Sequence, residues 1–330
     1  MAIRRHMTEL ALGFISDGLL ILHPKDIKQV DQQSPEIVAL AEDCHIYLIV
    51  KHPRLSYVPG SIVLGNGMTV GRMKYTRQGV PCEFEFHLVG EPNPDRVEIT
   101  DYPHSKMSFV KNGKIYFTVP AHMTSMICNY VEDSTVWDLD VQYVGMSYAD
   151  GTRSAKDRLQ SHSTLQQVLA DLNQDSPESE ALVVLVQDAA TQSIITIDGR
   201  DKSLGVENDQ DVMSDLQRQQ QEVTRDLQIA LIEAGLIKYF QPPYNDIYKK
   251  RFPHPTQKIL DEVYSIDFGA LIVEINTESI NARLLSSERE PGFHHIASFD
   301  LHDLSIRQSF FNVMNLASGS NAPDHSGPVF

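Results

Sequence analysis

Hydrophobic positions in the first third of the chain come in short bursts. Residues 10–15 and 19–22 are apolar runs, and Ser34-Pro35-Glu36, followed by Ile37, Val38, Leu40 and Ala41, has the form of a helix start. From residue 45 to about 120 the pattern predicts β structure. Segments 45–51, 61–64, 82–89, 96–100 and 107–111 are short and β-rich, with Gly, Pro, Asn and Asp between them. The alternation Glu83-Phe84-Glu85-Phe86-His87-Leu88-Val89 suits a strand with one wet face. Asn112-Gly113 between two apolar runs is a hairpin signal.

The period then lengthens. After expected strands at 125–131 and 141–145, Leu159, Leu165, Val168, Leu169 and Leu172 form a helical stripe, predicting one helix over 155–172. Strands are expected at 181–186 and 193–197. A long helical pattern runs from about 211 to 240, polar in its first half and apolar almost all round in its second, until Pro242-Pro243 stops it. A helix near 257–264, strands at 270–276 and 296–301, and a disordered Gly/Ser/Asn/Pro-rich tail at 318–330 complete the reading.

Totals narrow the class. The 330 residues suffice for two or three domains, and 42% hydrophobic with 22% charged content is ordinary for a globular protein. A net charge of −16, from 44 acidic and 28 basic residues, argues against nucleic acid coating the whole surface. It leaves room for a local basic site. Cys44, Cys82 and Cys128 form no CxxC pair, so a zinc knuckle is not expected and a reducing, cytoplasmic setting is. Neither a signal peptide nor a membrane span is expected.

Candidate chemistry concentrates in 143–162 and 229–245. Glu233 lies in Ile229-Ala-Leu-Ile-Glu-Ala-Gly-Leu-Ile237, and a carboxylate in such a helix needs a cation, a hydrogen bond or a metal. A buried salt bridge would serve equally. Arg158 and His162, four apart, would share one helical face, the first suited to a phosphate oxygen and the second to proton transfer, although a solvated face explains them as well. Tyr143-Val-Gly145 ends a strand, where the phenol either orients water or is a core tyrosine. Asn245 follows Pro-Pro-Tyr at a turn.

In combination these pieces are more specific. A strand ending YVG, a helix with RLxxH and an apolar helix reading LIExxLIxxFxPPYN resemble the GIY-YIG nuclease family, closest to its restriction-endonuclease branch, over about residues 123–250. The resemblance implies an α+β fold. Its core would be a small antiparallel sheet flanked by helices at 121–252, after a β-rich N-terminal domain at 1–120 and before a C-terminal α/β extension at 253–317 and the tail. It implies a metal-dependent endonuclease, most simply cutting DNA in defence against foreign DNA. Tyr143, Arg158, His162 and Asn245 would be site residues, and Glu233 would hold one Mg²⁺ or Mn²⁺ ion. The GIY text is not intact, and Tyr130, one hairpin before Tyr143, is the candidate for its tyrosine; Tyr116 is the other. Arg153, Lys156, Lys238, Lys249, Lys250 and Arg251 are the basic residues placed to meet phosphates. The flanking regions would choose the target, form an oligomer or recruit a partner. The alternative is a nucleic-acid-binding protein with a degenerate core.

Overall fold

The computed structural model describes residues 8–90, 94–147, 154–160, 162–188, 192–197, 214, 217–218, 221–245 and 268–301. The expected helix near 257–264, the tail, Arg153, Lys249, Lys250 and Arg251 lie outside them. The chain begins with β1 (Thr8–Leu22), a 3-10 helix (Pro24–Gln32), α1 (Pro35–Asp43) and β2 (Ile46–Pro53). The two apolar runs of the N-terminal segment are thus a single strand, bent by a register shift between Ser16 and Gly18.

A β-rich lobe follows. It contains β3 (Ser56–Tyr57), β4 (Val63–Gly65), β5 (Met68–Arg77), β6 (Val80–Val89), β7 (Arg96–Ile99), β8 (Lys106–Lys111), β9 (Lys114–Pro120), α2 (Ala121–Ile127) and β10 (Tyr130–Val131). Its strands form sheets of five and three, closed over Tyr57, Met73, Phe84, Phe86 and Met107. The Asn112-Gly113 hairpin joins β8 to β9, with φ of 52° and 74°, the positive values that a tight primed turn demands. Residues 125–131, read as a strand, begin in α2 instead. There the Trp137 indole donates to the Ser125 carbonyl and Asn281 to that of Met126, so contacts made outside the segment decide its form.

The chain then re-enters the main sheet with β11 (Asp138–Met146). Beyond come α3 (Ala155–Leu159), α4 (Ser163–Asp175), β12 (Ser179–Asp188), β13 (Gln192–Ile197), α5 (Arg225–Phe240), β14 (Phe268–Asn276), β15 (Arg283–Ser286), β16 (Arg289–Gly292) and β17 (His294–Asp300). The main sheet runs β16-β15-β11-β2-β12-β1-β14-β17, with β13 also paired to β1. Phe293 alone separates β16 from β17, so the two ends of this order are joined in sequence and the sheet curls into a nearly closed barrel.

This topology divides the chain differently from the boundary expected at residue 120. Strands β1 and β2 are central strands of the main sheet, and β2 and β11 are antiparallel neighbours with Lys51 opposite Asp140. The lobe at 54–137 is therefore an insertion within a hairpin. Strands β14 and β17, expected in a separate extension, belong to the same sheet.

The all-round apolarity of α5 now has its physical reason. The helix packs against β2, β11, β14 and β17, and Leu227, Ile229, Leu231, Ile232, Leu236 and Phe240 are buried among inward-facing residues of the curled sheet. Alternate residues of the same strands, among them Tyr47, Ile49, Val183 and Leu185, point the other way and pack with Leu159, Leu165 and Val168 of α3 and α4. No helix among the described residues is long and apolar enough to cross a membrane.

Candidate active site

The register of β2 against β11 places Tyr47 opposite Gly145 and Ile46 opposite Met146. A Cβ on Gly145 would lie 2.5 Å from the Tyr47 hydroxyl and 2.6 Å from the Tyr143 ring, so the bare backbone makes room for both phenols. The Ser147 N–H donates to the His45 carbonyl at 2.7 Å and extends the pairing by one step. Two tyrosines, Tyr47 and Tyr143, thus meet with ring centroids 6.1 Å apart.

The expected 155–172 helix is two helices. Helix α3 starts in a capping box of Ser154 and Asp157, and α4 starts afresh with His162 as its N-cap. Arg158 and His162 therefore do not share one helical face. The break still brings them together, because both reach the Tyr47 hydroxyl: Arg158 Nε at 3.2 Å and His162 Nε2 at 2.8 Å.

The cap fixes the imidazole's tautomer. His162 Nδ1 accepts from the Leu165 N–H at 3.2 Å, so in the neutral ring Nε2 carries the proton and donates to Tyr47. Burial, and then the Arg158 guanidinium, push the His162 pKa down to about 4. His162 is a neutral, fixed donor at ordinary pH, in place of the proton-transfer role expected from its residue type. Tyr47 is fully buried, which raises its phenol above the usual range, while Arg158 and hydrogen bonds from Arg158 and Tyr143 act the other way.

Glu233 approaches from α5. Burial raises its carboxyl to about 7, against the lowering influence of Arg158 and the Met146 N–H. Arg158 itself is exposed, so its guanidinium lies at the mouth of the cluster with donors to spare beyond the one that holds Tyr47.

Asn245 acts as a strand surrogate. Its Oδ1 accepts from the Val144 N–H and its Nδ2 donates to the Val144 carbonyl, both at 2.9 Å. Here β11 has run past β15, which pairs only with residues 138–140. Tyr244 continues to α4, donating to Asp171 at 2.8 Å. The Pro-Pro-Tyr-Asn turn thus straps α5 to the edge of β11.

No family model, curated protein or solved structure matches this chain. Residue identities and geometry must carry the reading.

The structure brings together Tyr143, Arg158, His162, Glu233 and Asn245. It does not bring Tyr130, which lies in β10 of the inserted lobe, 48% exposed and packed on His87 with ring centroids 4.8 Å apart. Tyr116 is also in the lobe, on the edge strand β9. Tyr47, and not Tyr130, is the tyrosine on the strand paired with that of Tyr143. Its signal was the dipeptide Ile46-Tyr47 in a strand, hidden because the whole lobe separates it from Tyr143. Among the basic candidates, Lys156 is buried and paired with Asp31, which removes it from the cluster, and Lys238 stands on the last turn of α5.

Proposed function

We propose that this chain is a metal-dependent endonuclease with a GIY-YIG-type core, acting on DNA in the cytoplasm, in the manner of a restriction or defence enzyme. The observation that supports this reading best is the convergence of Arg158 and His162 on the Tyr47 hydroxyl, beside Tyr143 and the Glu233 carboxyl. The pair of strands then reads His45-Ile46-Tyr47 against Tyr143-Val144-Gly145, with histidine where the family name has its first glycine.

The residues present fit a cation of the expected kind. Glu233 offers one hard carboxylate, and Mg²⁺ or Mn²⁺ takes few protein oxygens and keeps its waters. Among the described residues no group of three or more His, Cys, Asp or Glu could hold a metal, and a one-carboxylate site needs none. A divalent ion bound there would supply positive charge for the oxygen that leaves phosphorus.

The chain's own groups divide the remaining work. Tyr47 accepts hydrogen bonds from His162 Nε2–H and Arg158 Nε–H, with the Tyr143 hydroxyl as a further donor. Burial holds the Tyr47 proton in place, above the usual phenol range, and these donors fix its oxygen. Tyr47 accordingly orients Arg158 and His162 at the site and is not itself the base. Arg158, open to solvent, meets the phosphate oxygens. Asn245, paired to Val144, fixes β11 beside Tyr143.

Plasmid nicking with Mg²⁺ or Mn²⁺ tests the proposal, comparing the wild type with Glu233→Ala across DNA and RNA. Cleavage by the wild type that is lost in the variant is expected, and equal cutting by both would sink it. The incomplete GIY text, with His45 before Ile46-Tyr47, motivates a second reading, a nucleic-acid-binding protein with a degenerate core. It is distinguished by salt-sensitive binding without turnover under any metal.

A further inference from the structure

The two edges of the three-stranded sheet in the lobe are unlike each other. In the order β7-β8-β9, each outer strand pairs with β8 and has a second backbone edge that is unpaired among the described residues. Strand β7 is four residues long and carries Arg96 paired with Glu98 at 2.7 Å, the short, charged form that keeps other strands away. Strand β9 is seven residues long, and from Ile115 to Val119 it reads Ile-Tyr-Phe-Thr-Val without a charge.

Ile115 is 59% exposed and Phe117 46%. Both are backed by buried neighbours: Ile115 lies opposite Val110, and Phe117 stacks on Phe109 with ring centroids 5.8 Å apart. Side chains supported in this way lose little freedom when a partner covers them. The Asn112-Gly113 turn closes on the Lys111/Lys114 pair, so the next pair, Val110/Ile115, is the non-hydrogen-bonded kind. The N–H and C=O of Ile115 therefore point out at the open edge.

Charge selects the occupant. Strands β8 and β9 carry Lys106, Lys111 and Lys114 and no carboxylate, and none of these lysines is in an ion pair among the described residues. Asp95, beside the turn, is engaged by the Asn112 N–H at 2.6 Å. A second copy of the chain is disfavoured, because it brings the same lysines and a net charge of −16. We propose that the open edge of β9 is a docking site for an extended, acidic segment of a partner protein, which adds to the sheet as a fourth strand. Main-chain bonds to Ile115 hold the segment, its apolar side chains cover Ile115 and Phe117, and its carboxylates meet Lys111 and Lys114. The lobe leaves β2 after Pro53, about 20 Å along the strand from Tyr47, and docking there needs no nuclease activity.

Fluorescence anisotropy with the full chain tests the docking. The probe is a labelled peptide of alternating glutamate and valine, long enough to span β9, and the control alternates lysine with valine. The glutamate peptide should bind with an affinity that falls as salt rises, and the lysine peptide at least about tenfold more weakly. Lys111→Glu combined with Lys114→Glu should weaken the glutamate peptide by about tenfold, and Ile115→Pro by about fivefold. Proline is tolerated on an edge strand where the N–H faces outward, so that variant should fold. Hydrogen exchange on the wild type needs no variant: the bound glutamate peptide should slow exchange of the β9 amides. No binding up to about 1 mM peptide, unchanged binding by the double lysine variant, or no protection of β9 overturns the proposal. So does a dimer in sedimentation that Ile115→Pro dissolves, because a second copy then holds the edge. Protection of β9 by oligothymidylate in place of the peptide overturns it as well, making the edge a nucleic-acid surface.

Discussion

At the scale of single residues, Tyr47 and Glu233 carry opposite strains of one burial. Removing the Tyr47 hydroxyl in Tyr47→Phe leaves Arg158 Nε and His162 Nε2 without their acceptor, which should cost about 1–3 kcal/mol of stability. Because Tyr47 positions Arg158, nicking should also fall by roughly 100-fold, and full nicking by this variant would remove it from that role. Glu233 is the reverse case. Its folded pKa, about 7, lies above the unfolded value, so its contribution to stability is whole below about pH 4.5 and is lost as pH rises through 7. Glu233→Gln should therefore be more stable than the wild type at pH 8 without divalent metal, by about 1–3 kcal/mol in urea unfolding. Equal midpoints would show that the carboxyl is not perturbed. Protons also compete with any cation for this group, so affinity for Mn²⁺, followed by calorimetry, should weaken by about tenfold per pH unit below 7. His162 has the opposite sign: its folded pKa is depressed to about 4, so its contribution is whole above 6.5 and is lost as pH falls toward 4.

At the scale of elements, the strap from α5 to β11 is the most exposed to test. Asn245→Ala removes both bonds to Val144, and melting should report a loss of about 1–3 kcal/mol. Asn245→Asp keeps the acceptor but sets a carboxylate against the Val144 carbonyl, and should be no better than alanine. A variant with alanine that melts like the wild type would mean that the edge of β11 is held by other contacts. The same elements show what could be read from the chain. The apolar half of α5, the Pro-Pro stop and the strand holding Tyr143 follow from local pattern, because an all-round apolar helix has few other places to go, whereas the continuous helix expected from about 211 is interrupted at Val223 and Thr224, the N-cap of α5. The partner of Tyr143 did not follow, because strand pairing is a long-range choice that leaves no local periodicity. Nor did the break between Arg158 and His162: Leu159 and Leu165 keep an apolar stripe whether one helix or two carries them. Residues 125–127 became helical for contacts made elsewhere.

At the scale of the whole molecule, the lobe and the main sheet share more than the hairpin that joins them. Met126 belongs to the core around α5, Asn281 donates to its carbonyl, and Arg283 reaches Ser134 and Asp138. Calorimetry should accordingly show one cooperative transition, with van't Hoff and calorimetric enthalpies close to equal, and two resolved peaks would mean that the lobe is thermodynamically separate. The order of strands also has a consequence for the making of the protein. Strand β1 is made well before its neighbours β12 and β14, which are encoded far downstream, and Asn276 ends up bonded to Ser16. A nascent chain must carry this long apolar strand unpaired until β12 has been made. Its exposure during translation, rather than any weakness of the finished barrel, sets the hazard of aggregation for this chain.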